Sequence, residues 1–263
     1  MTNRSPVLLC EIHDGICTLT LNRPKSFNAL SEELLVRLSD TLDEIADNPK
    51  IRVVIIAGAG PAFCAGHDLK EMQQDSNRIQ HQKKFSKSGE TMIKITNLPQ
   101  PVIARVHGMA TAAGCQLVAT CDLAVAAKNA KFAVSGVKLG LFCSTPAVAL
   151  TRNISRKRAM EMLLTGDFIE AETALNFGLI NQVVEPDKLD QSVDTLARKI
   201  TAHPPRVVNL GKSSFYKQIE QQTHDAYEQT SQVISDNMML KETVEGINAF
   251  LEKREPYWRS KEG

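Results

Sequence analysis

The sequence lacks the features by which nucleic-acid-binding and membrane-spanning proteins are recognised. Its 31 basic and 30 acidic residues leave a formal net charge of +1, which gives no excess of charge to attract nucleic acid or an anionic membrane surface. The most continuous apolar stretch, residues 117–127, contains Asp122 and is far shorter than the ~20 residues that a membrane span needs. We therefore predict no nucleic-acid partner and no transmembrane helix.

Cysteines are few, and their spacing fits no known pattern of metal ligands or redox-active pairs. The six cysteines form no C-x-x-C pair and have no histidine at zinc-finger spacing, which predicts reduced thiols and no metal site. Nothing before Val7 resembles a signal or transit peptide. A mature organellar protein would already lack its leader, so the sequence itself does not identify the compartment.

Common nucleotide-binding and hydrolase motifs are also missing. Gly58 and Gly60 follow a strand-like run, but the G-x-G-x-x-G pattern requires a glycine where Phe63 stands. The chain contains no Walker A motif, no G-x-S-x-G and no H-E-x-x-H. We therefore expect no bound cofactor.

What the sequence does contain is an alternation of strand-like and helix-like segments up to Val184. Two strands joined at Asp14-Gly15 predict a tight hairpin, and β-branched runs at residues 52–57 and 102–106 predict buried strands. Ser31 is the expected cap of the first helix. The alternation predicts an α/β fold with a layered core.

Only helical patterns follow Pro186. Pro204-Pro205 marks a joint, so we divide the chain into a core of residues 1–203 and a C-terminal helical region of residues 204–263.

Two loops, residues 62–68 and 109–114, follow buried strands and are rich in small side chains. Small side chains let a ligand approach backbone N–H groups, and two such groups that converge on one carbonyl oxygen form an oxyanion hole. The second loop leads into a helix at about Ala113, whose dipole would favour negative charge on that oxygen. The alternative is that the small residues only allow tight packing of helix on sheet.

Several segments resemble signatures of the enoyl-CoA hydratase/isomerase (crotonase) family. They are NRPKSFNAL at residues 22–30, FCAGHDLKEM at 63–72, PVIARVHG at 101–108, AGCQL at 113–117 and shorter matches at 160–166, 174–179 and 250–254. The resemblance implies a crotonase-type spiral of ββα units, a C-terminal α-helical oligomerisation region, and a homotrimer or a dimer of trimers. It also implies an acyl-coenzyme A ligand, no other cofactor, and a role in fatty-acid metabolism in the mitochondrial matrix.

The resemblance also implies site residues. The backbone N–H groups of His67 and Ala113 match the oxyanion hole, in which each fixed donor stabilises a developing enolate by ~3 kcal/mol. The positions that match the coenzyme A path are Arg23, Lys25, Ala29, Ala65, Asp68, Leu69, Lys70 and, from the tail, Lys253. Taken singly, the charged residues among these could be solvated surface groups, and Asp68 could cap a helix.

One departure from the family pattern bears on the reaction. Gln116 and Gly136 stand where the hydratase pattern has its two glutamates. Adding water to a conjugated double bond needs one group to accept a proton and one to deliver a proton, and neither glutamine nor glycine can do this. The substitutes that the sequence offers are His67, Lys138, Cys143 and Asp122, each of which also has an ordinary structural interpretation.

Three hypotheses about function remain open from the sequence. The first is an acyl-CoA enzyme whose chemistry needs enolate stabilisation more than paired carboxylates, such as a decarboxylase or a thioester hydrolase. The second is a non-catalytic acyl-CoA-binding or regulatory protein. The third is a hydratase with relocated acid–base groups.

Overall fold

Ten strands form two sheets within residues 5–74 and 77–259, the parts of the chain that the computed structural model describes. The larger sheet has the order β1-β2-β3-β5-β7-β10, formed by β1 Leu8–His13, β2 Ile16–Leu21, β3 Val53–Gly58, β5 Val102–Val106, β7 Leu123–Ala127 and β10 Gln182–Val184. The smaller sheet has the order β4-β6-β8-β9, formed by β4 Ala62–Cys64, β6 Met109–Thr111, β8 Lys131–Ala133 and β9 Ile169–Glu170.

The helices lie between these strands and after them. They are α1 Glu32–Ala46, α2 Leu69–Gln74, α3 Arg78–Asn97, α4 Ala113–Thr120, α5 Ser144–Asn153, α6 Arg156–Thr165, α7 Ala171–Phe177, α8 Leu189–Thr201, α9 Pro205–Gln218, α10 Thr223–Met238 and α11 Lys241–Leu251. Short 3-10 helices occupy Pro24–Ser26, Ser135–Leu139, Pro186–Lys188 and Tyr257–Arg259. None of the helices in the described residues is both long and apolar enough to cross a bilayer.

Local sequence explains several of these boundaries. Asp14 and Gly15 have φ angles of 48° and 76°, as the predicted hairpin turn requires. The Ser31 hydroxyl accepts a hydrogen bond from Leu34 N at 3.2 Å and caps α1, as predicted. Gly166 and Gly178 adopt the left-handed conformation directly after α6 and α7, which ends both helices.

The chain repeats a ββα unit three times. Each of β3, β5 and β7 in the larger sheet is followed by a short strand of the smaller sheet and then by a helical segment. The strands of these units pair in parallel: β5 lies between β3 and β7 in the larger sheet, and β6 lies between β4 and β8 in the smaller sheet. This confirms the predicted spiral. The strands of the smaller sheet were predicted as loops or not assigned, because runs of two or three residues are too short to show a strand period.

Both faces of the larger sheet are covered. One face packs against α1, α3 and α4 in the main apolar core. The other face packs against α8, whose Leu189, Val193 and Ala197 contact residues of the central strands. Burial on two faces explains why the central strands read as continuous β-branched runs rather than as alternating patterns.

A buried ion pair attaches α9 to the sheet. Lys212 Nζ lies 2.7 Å from Asp122 Oδ2 and also donates to the carbonyl oxygens of Ile95 and Gln100, each at 3.0 Å. Asp122 further accepts from Val102 N at 2.6 Å and from the Tyr216 hydroxyl at 2.8 Å. Asp122 is therefore a structural residue and not a substitute acid or base. The division of the chain at residue 203 stays a prediction, although these bonds cross it.

Removing the Tyr216 hydroxyl tests this attachment. We expect Tyr216→Phe to lower the free energy of unfolding by about 1.5–3 kcal/mol, because a hydrogen bond to a largely buried carboxylate is lost. Tyr227→Phe is the matched control, since the Tyr227 side chain is exposed. Urea denaturation of the two variants measures the difference, and equal stabilities would contradict a structural role for the bond.

Candidate functional site

The two small-residue loops meet where β4 and β6 end side by side. A Cβ added at Gly66 would lie 2.9 Å from the Ala112 Cβ and 3.1 Å from the Ala113 nitrogen. The φ angle of Gly66 is +91°, a conformation that other residues rarely adopt. The loops therefore approach each other backbone to backbone, and only glycine allows that approach.

Hydrogen bonds to Leu30 orient the peptide group before His67. Leu30 N donates to the Gly66 oxygen at 2.7 Å, and Asp68 N donates to the Leu30 oxygen at 3.2 Å. The Gly66 carbonyl and the His67 N–H belong to one trans peptide group and point in opposite directions. The His67 N–H therefore points away from Leu30, and it finds no acceptor within the described residues.

The second donor is the N–H of Ala113 at the start of α4. The first N–H groups of a helix have no acceptor inside that helix. The preceding residue, Ala112, has φ 51° and ψ −120°, which is strained for a residue with a side chain and is held by its N–H bond to the Ala133 oxygen at 2.9 Å. Strain of this kind often accompanies a functional backbone group, and here it precedes the second predicted oxyanion donor.

Both predicted donor positions line one cavity of about 560 Å³. Ala65 and Leu69, predicted to follow the acyl-CoA path, line it as well, as does Gly136. The rest of the wall comes from α2, α3 and residues 135–146, and among its side chains the sequence interpretation named only Cys143, as a candidate for catalysis. Its apolar members are Met72, Phe85, Leu139, Leu141, Phe142 and Pro146, and its polar members are Gln82, Ser86, Ser135, Cys143, Ser144 and Thr145.

Two lining side chains can titrate, and neither has a pKa near neutrality. Burial lowers the pKa of His67 to about 4, so its imidazole is neutral at pH 7, with Nε2 3.0 Å from the Ser88 hydroxyl. Burial raises the pKa of Cys143, although the Gly136 N–H donates to its sulfur at 3.3 Å. No carboxylate or cationic side chain of the described residues lines the cavity. Lys138 lies outside it and pairs with Asp167 at 2.6 Å.

The backbone leaves no space for a side chain at Gly136, the position at which the family resemblance implies the second glutamate. A Cβ added at Gly136 would lie 2.3 Å from the Leu141 oxygen and 2.7 Å from the Cys143 sulfur. Leu141 N also donates to the Gly136 oxygen at 3.0 Å. Gln116 is 4% exposed and does not line the cavity, and its side-chain oxygen has no partner in the described residues. Gly136 therefore has no space for a side chain and Gln116 lies outside the cavity, so neither position presents a proton-transfer group to a ligand there.

Three of the residues predicted along the coenzyme A path bond to one another. The Arg23 guanidinium donates to Asp68 Oδ2 at 2.8 Å and to the Ala29 oxygen at 2.5 Å. Burial opposes ionisation of Asp68, but the hydrogen bond and charge of Arg23 outweigh it and lower the pKa of that carboxyl. Asp68 Oδ1 also accepts from Lys70 N at 3.1 Å, so Asp68 caps the start of α2.

The predicted lysine contacts are on the surface. Lys25, Lys70 and Lys253 are exposed, and none of their side chains forms an ion pair with the part of the chain that the structure describes. Lys253 follows α11 with a φ angle of 55°. Their contacts with coenzyme A stay predictions.

The depressed pKa of His67 predicts a pH dependence of stability. Its pKa falls from 6.5 to about 4 on folding, so the stability that neutral His67 allows is present above pH 6.5 and is lost as the pH falls toward 4. We expect His67→Gln to remove up to about 3 kcal/mol of this acid sensitivity. Urea unfolding at pH 6.5 and pH 4.5 measures it, with His224→Gln as the control because that imidazole is 90% exposed. The same acid sensitivity in all three proteins would contradict the prediction.

Known proteins resemble this chain over almost its whole length. The model of the family described as enoyl-CoA hydratase/isomerase matches residues 11–261. The human protein named enoyl-CoA hydratase domain-containing protein 3, mitochondrial, is 48% identical over 245 residues, which cover 93% of this chain and 81% of that protein. A short-chain-enoyl-CoA hydratase of Clostridium acetobutylicum is 31% identical over 252 residues, with 94% and 95% covered.

Solved structures give the same result. A crystal structure of an enoyl-CoA hydratase from Mycobacterium smegmatis matches with a TM-score of 0.96 at 50% identity, covering 97% of this chain and 100% of that chain. The crystal structure of human enoyl-CoA hydratase domain-containing protein 3 matches with a TM-score of 0.93 at 46% identity, covering 96% and 100%. The predicted fold is therefore confirmed, and the chain belongs to the enoyl-CoA hydratase/isomerase (crotonase) family.

Proposed function

We propose that the protein binds acyl-coenzyme A thioesters in the 560 Å³ cavity and polarises the thioester carbonyl between the N–H groups of His67 and Ala113. The observation that carries this proposal is a pair of unpaired backbone donors in a largely apolar cavity that contains no carboxylate among the described residues. Fixed N–H donors stabilise the negative charge of an enolate, and apolar walls accommodate an acyl chain.

The same residues limit the chemistry. Hydration of an enoyl thioester needs proton transfer to and from the substrate, and neutral His67 and the protonated Cys143 thiol are poor groups for it near pH 7. Two functions fit the site better than hydration does. One is a reaction such as decarboxylation, in which carbon dioxide leaves an enolate that solvent can protonate. The other is binding without turnover, which the lack of a group that titrates near neutrality favours.

The similar proteins suggest a cellular setting and an assembly. Several curated relatives are named mitochondrial, and we propose a role in fatty-acid metabolism in the mitochondrial matrix. We also propose a homotrimer or a dimer of trimers, because α10 and α11 together bury only Ala249 in the single chain. Large apolar side chains exposed on α10 and after it include Ile234, Met238, Met239, Phe250 and Leu251.

Calorimetry and a turnover assay together test the proposed function. We expect crotonyl-CoA and butyryl-CoA to bind more tightly than free coenzyme A, because the carbonyl gains two hydrogen bonds, and we expect no hydration of crotonyl-CoA. Malonyl-, methylmalonyl- and β-hydroxyacyl-CoA complete the turnover panel. Turnover of the malonyl thioesters would select the decarboxylase, and binding without any turnover would select the non-catalytic protein. Absence of affinity for every thioester would refute the proposal.

A further inference from the structure

We infer that Arg23 is a positioning residue for the oxyanion hole and does not serve as a ligand of the coenzyme A phosphates. This inference rests on the proposed function, because it concerns the same thioester carbonyl. It departs from the role that the family resemblance implied for Arg23.

Residues 23–30 run alongside the segment that carries the first donor. Backbone bonds join the two segments on both sides of the Gly66–His67 peptide group: Ala65 N donates to the Phe27 oxygen at 3.0 Å, Leu30 N to the Gly66 oxygen at 2.7 Å, and Asp68 N to the Leu30 oxygen at 3.2 Å. The direction of the His67 N–H therefore depends on where residues 27–30 lie.

The Arg23 side chain forms hydrogen bonds with both of these segments. One of its nitrogens bonds Asp68, the residue after His67, and another bonds the Ala29 oxygen, next to Leu30. Its own backbone is fixed by Asn28, which donates to the Arg23 oxygen at 3.0 Å and accepts from the Arg23 nitrogen at 2.9 Å. Arg23 thus joins the two chain segments that set the orientation of the donor.

The charge of Arg23 is already balanced by the Asp68 carboxylate. The side chains of Arg23 and Asp68 are 21% and 12% exposed, and removing one charge of so buried a pair leaves the other uncompensated. A phosphate that bound Arg23 would have to compete with Asp68 and the Ala29 carbonyl for the same N–H groups. Exposed Lys25 and Lys70 carry charges with no such competitor in the described chain, and they suit phosphate contact better.

The decisive variant is Arg23→Met, with Lys25→Met as the matched control. The readouts are the affinities for free coenzyme A and for butyryl-CoA, and the infrared shift of a ¹³C-labelled thioester carbonyl on binding. We expect Arg23→Met to lower the affinity for butyryl-CoA about tenfold and to change the affinity for free coenzyme A by no more than about twofold. It should also reduce the infrared shift of the carbonyl. Lys25→Met should weaken both ligands alike and leave the carbonyl shift unchanged.

Equal weakening of both ligands by Arg23→Met, with the carbonyl shift intact, would overturn the inference and return Arg23 to phosphate binding. Amide hydrogen exchange gives a test that needs no ligand: the Leu30 and Asp68 amides should exchange about tenfold faster in Arg23→Met and unchanged in Lys25→Met. Unchanged exchange in Arg23→Met would also overturn the inference. Failure of the wild type to bind any thioester would instead refute the proposed function, while the exchange experiment would still decide the role of Arg23.

Discussion

Glutamate introduced at position 136 is expected to destabilise the fold and not to create a hydratase. The first side-chain atom would already lie 2.3 Å from the Leu141 carbonyl oxygen, closer than nonbonded atoms approach. Relief requires the segment from Gly136 to Cys143 to move, which would break the Leu141 N–H bond to the Gly136 oxygen. We expect a loss of about 4 kcal/mol or more in the free energy of unfolding, from overpacking and a new charge at a crowded site.

Two further variants separate the causes. Gly136→Ala adds the colliding atom without a charge, and it should be destabilised as well. Gly211→Glu is the control, because a Cβ there meets nothing within 4 Å and glutamate favours a helix over glycine. Thermal and urea unfolding compare stability, and a crotonyl-CoA assay measures hydration. Combining Gly136→Glu with Gln116→Glu should not produce hydration. Wild-type stability together with hydration in the double variant would contradict the steric argument and show that the site lacks only the two carboxylates.

Alanine in place of Gly66 is expected to damage the fold and the site together. Its methyl group would lie 2.9 Å from the Ala112 Cβ and 3.1 Å from the Ala113 nitrogen, between the two loops that carry the donors. The φ angle of +91° adds backbone strain. We expect a loss of about 3 kcal/mol in stability. Because the two N–H groups are forced apart, affinity for butyryl-CoA should fall to that for free coenzyme A.

Gly89→Ala provides the comparison for this variant. Gly89 lies in α3, and a Cβ there meets nothing within 4 Å, so alanine should stabilise the helix by about 1 kcal/mol. Calorimetry with both ligands and urea unfolding apply to each variant. If Gly66→Ala kept its preference for the thioester over free coenzyme A, the convergence of the two donors would not explain carbonyl recognition.

The sequence predicted those parts of the fold that depend on local pattern. The strands predicted at residues 52–57 and 102–106 agree within one residue with β3 and β5, because burial on both faces requires a continuous apolar run that the sequence displays. The smaller sheet escaped prediction because its strands have two or three residues and are defined by parallel partners far along the chain.

The candidate site, like the fold, could be predicted only in part. Small residues after strands identified the loops of His67 and Ala113, because an exposed backbone N–H requires small neighbours. The sequence indicates only that a carboxylate is missing at Gly136. The lack of space for any side chain there is due to the Leu141 carbonyl in the following turn, which the sequence does not reveal. The pairing of Arg23 with Asp68 joins residues 45 positions apart, and charge alone gave no reason to prefer it over contact with a phosphate.

The attachment of α9 has a consequence for the order of events during synthesis. Lys212 donates to the carbonyl oxygens of Ile95 and Gln100 and supplies the counter-charge of Asp122, across 90 to 117 positions of sequence. A nascent chain folds from its N-terminus, so both sheets can form while the Asp122 carboxylate still lacks its counter-charge. The edge of the core next to α4 can be completed only after α9 has left the ribosome. Release of the C-terminal helices, and not formation of the sheets, is therefore the step that completes this edge of the core.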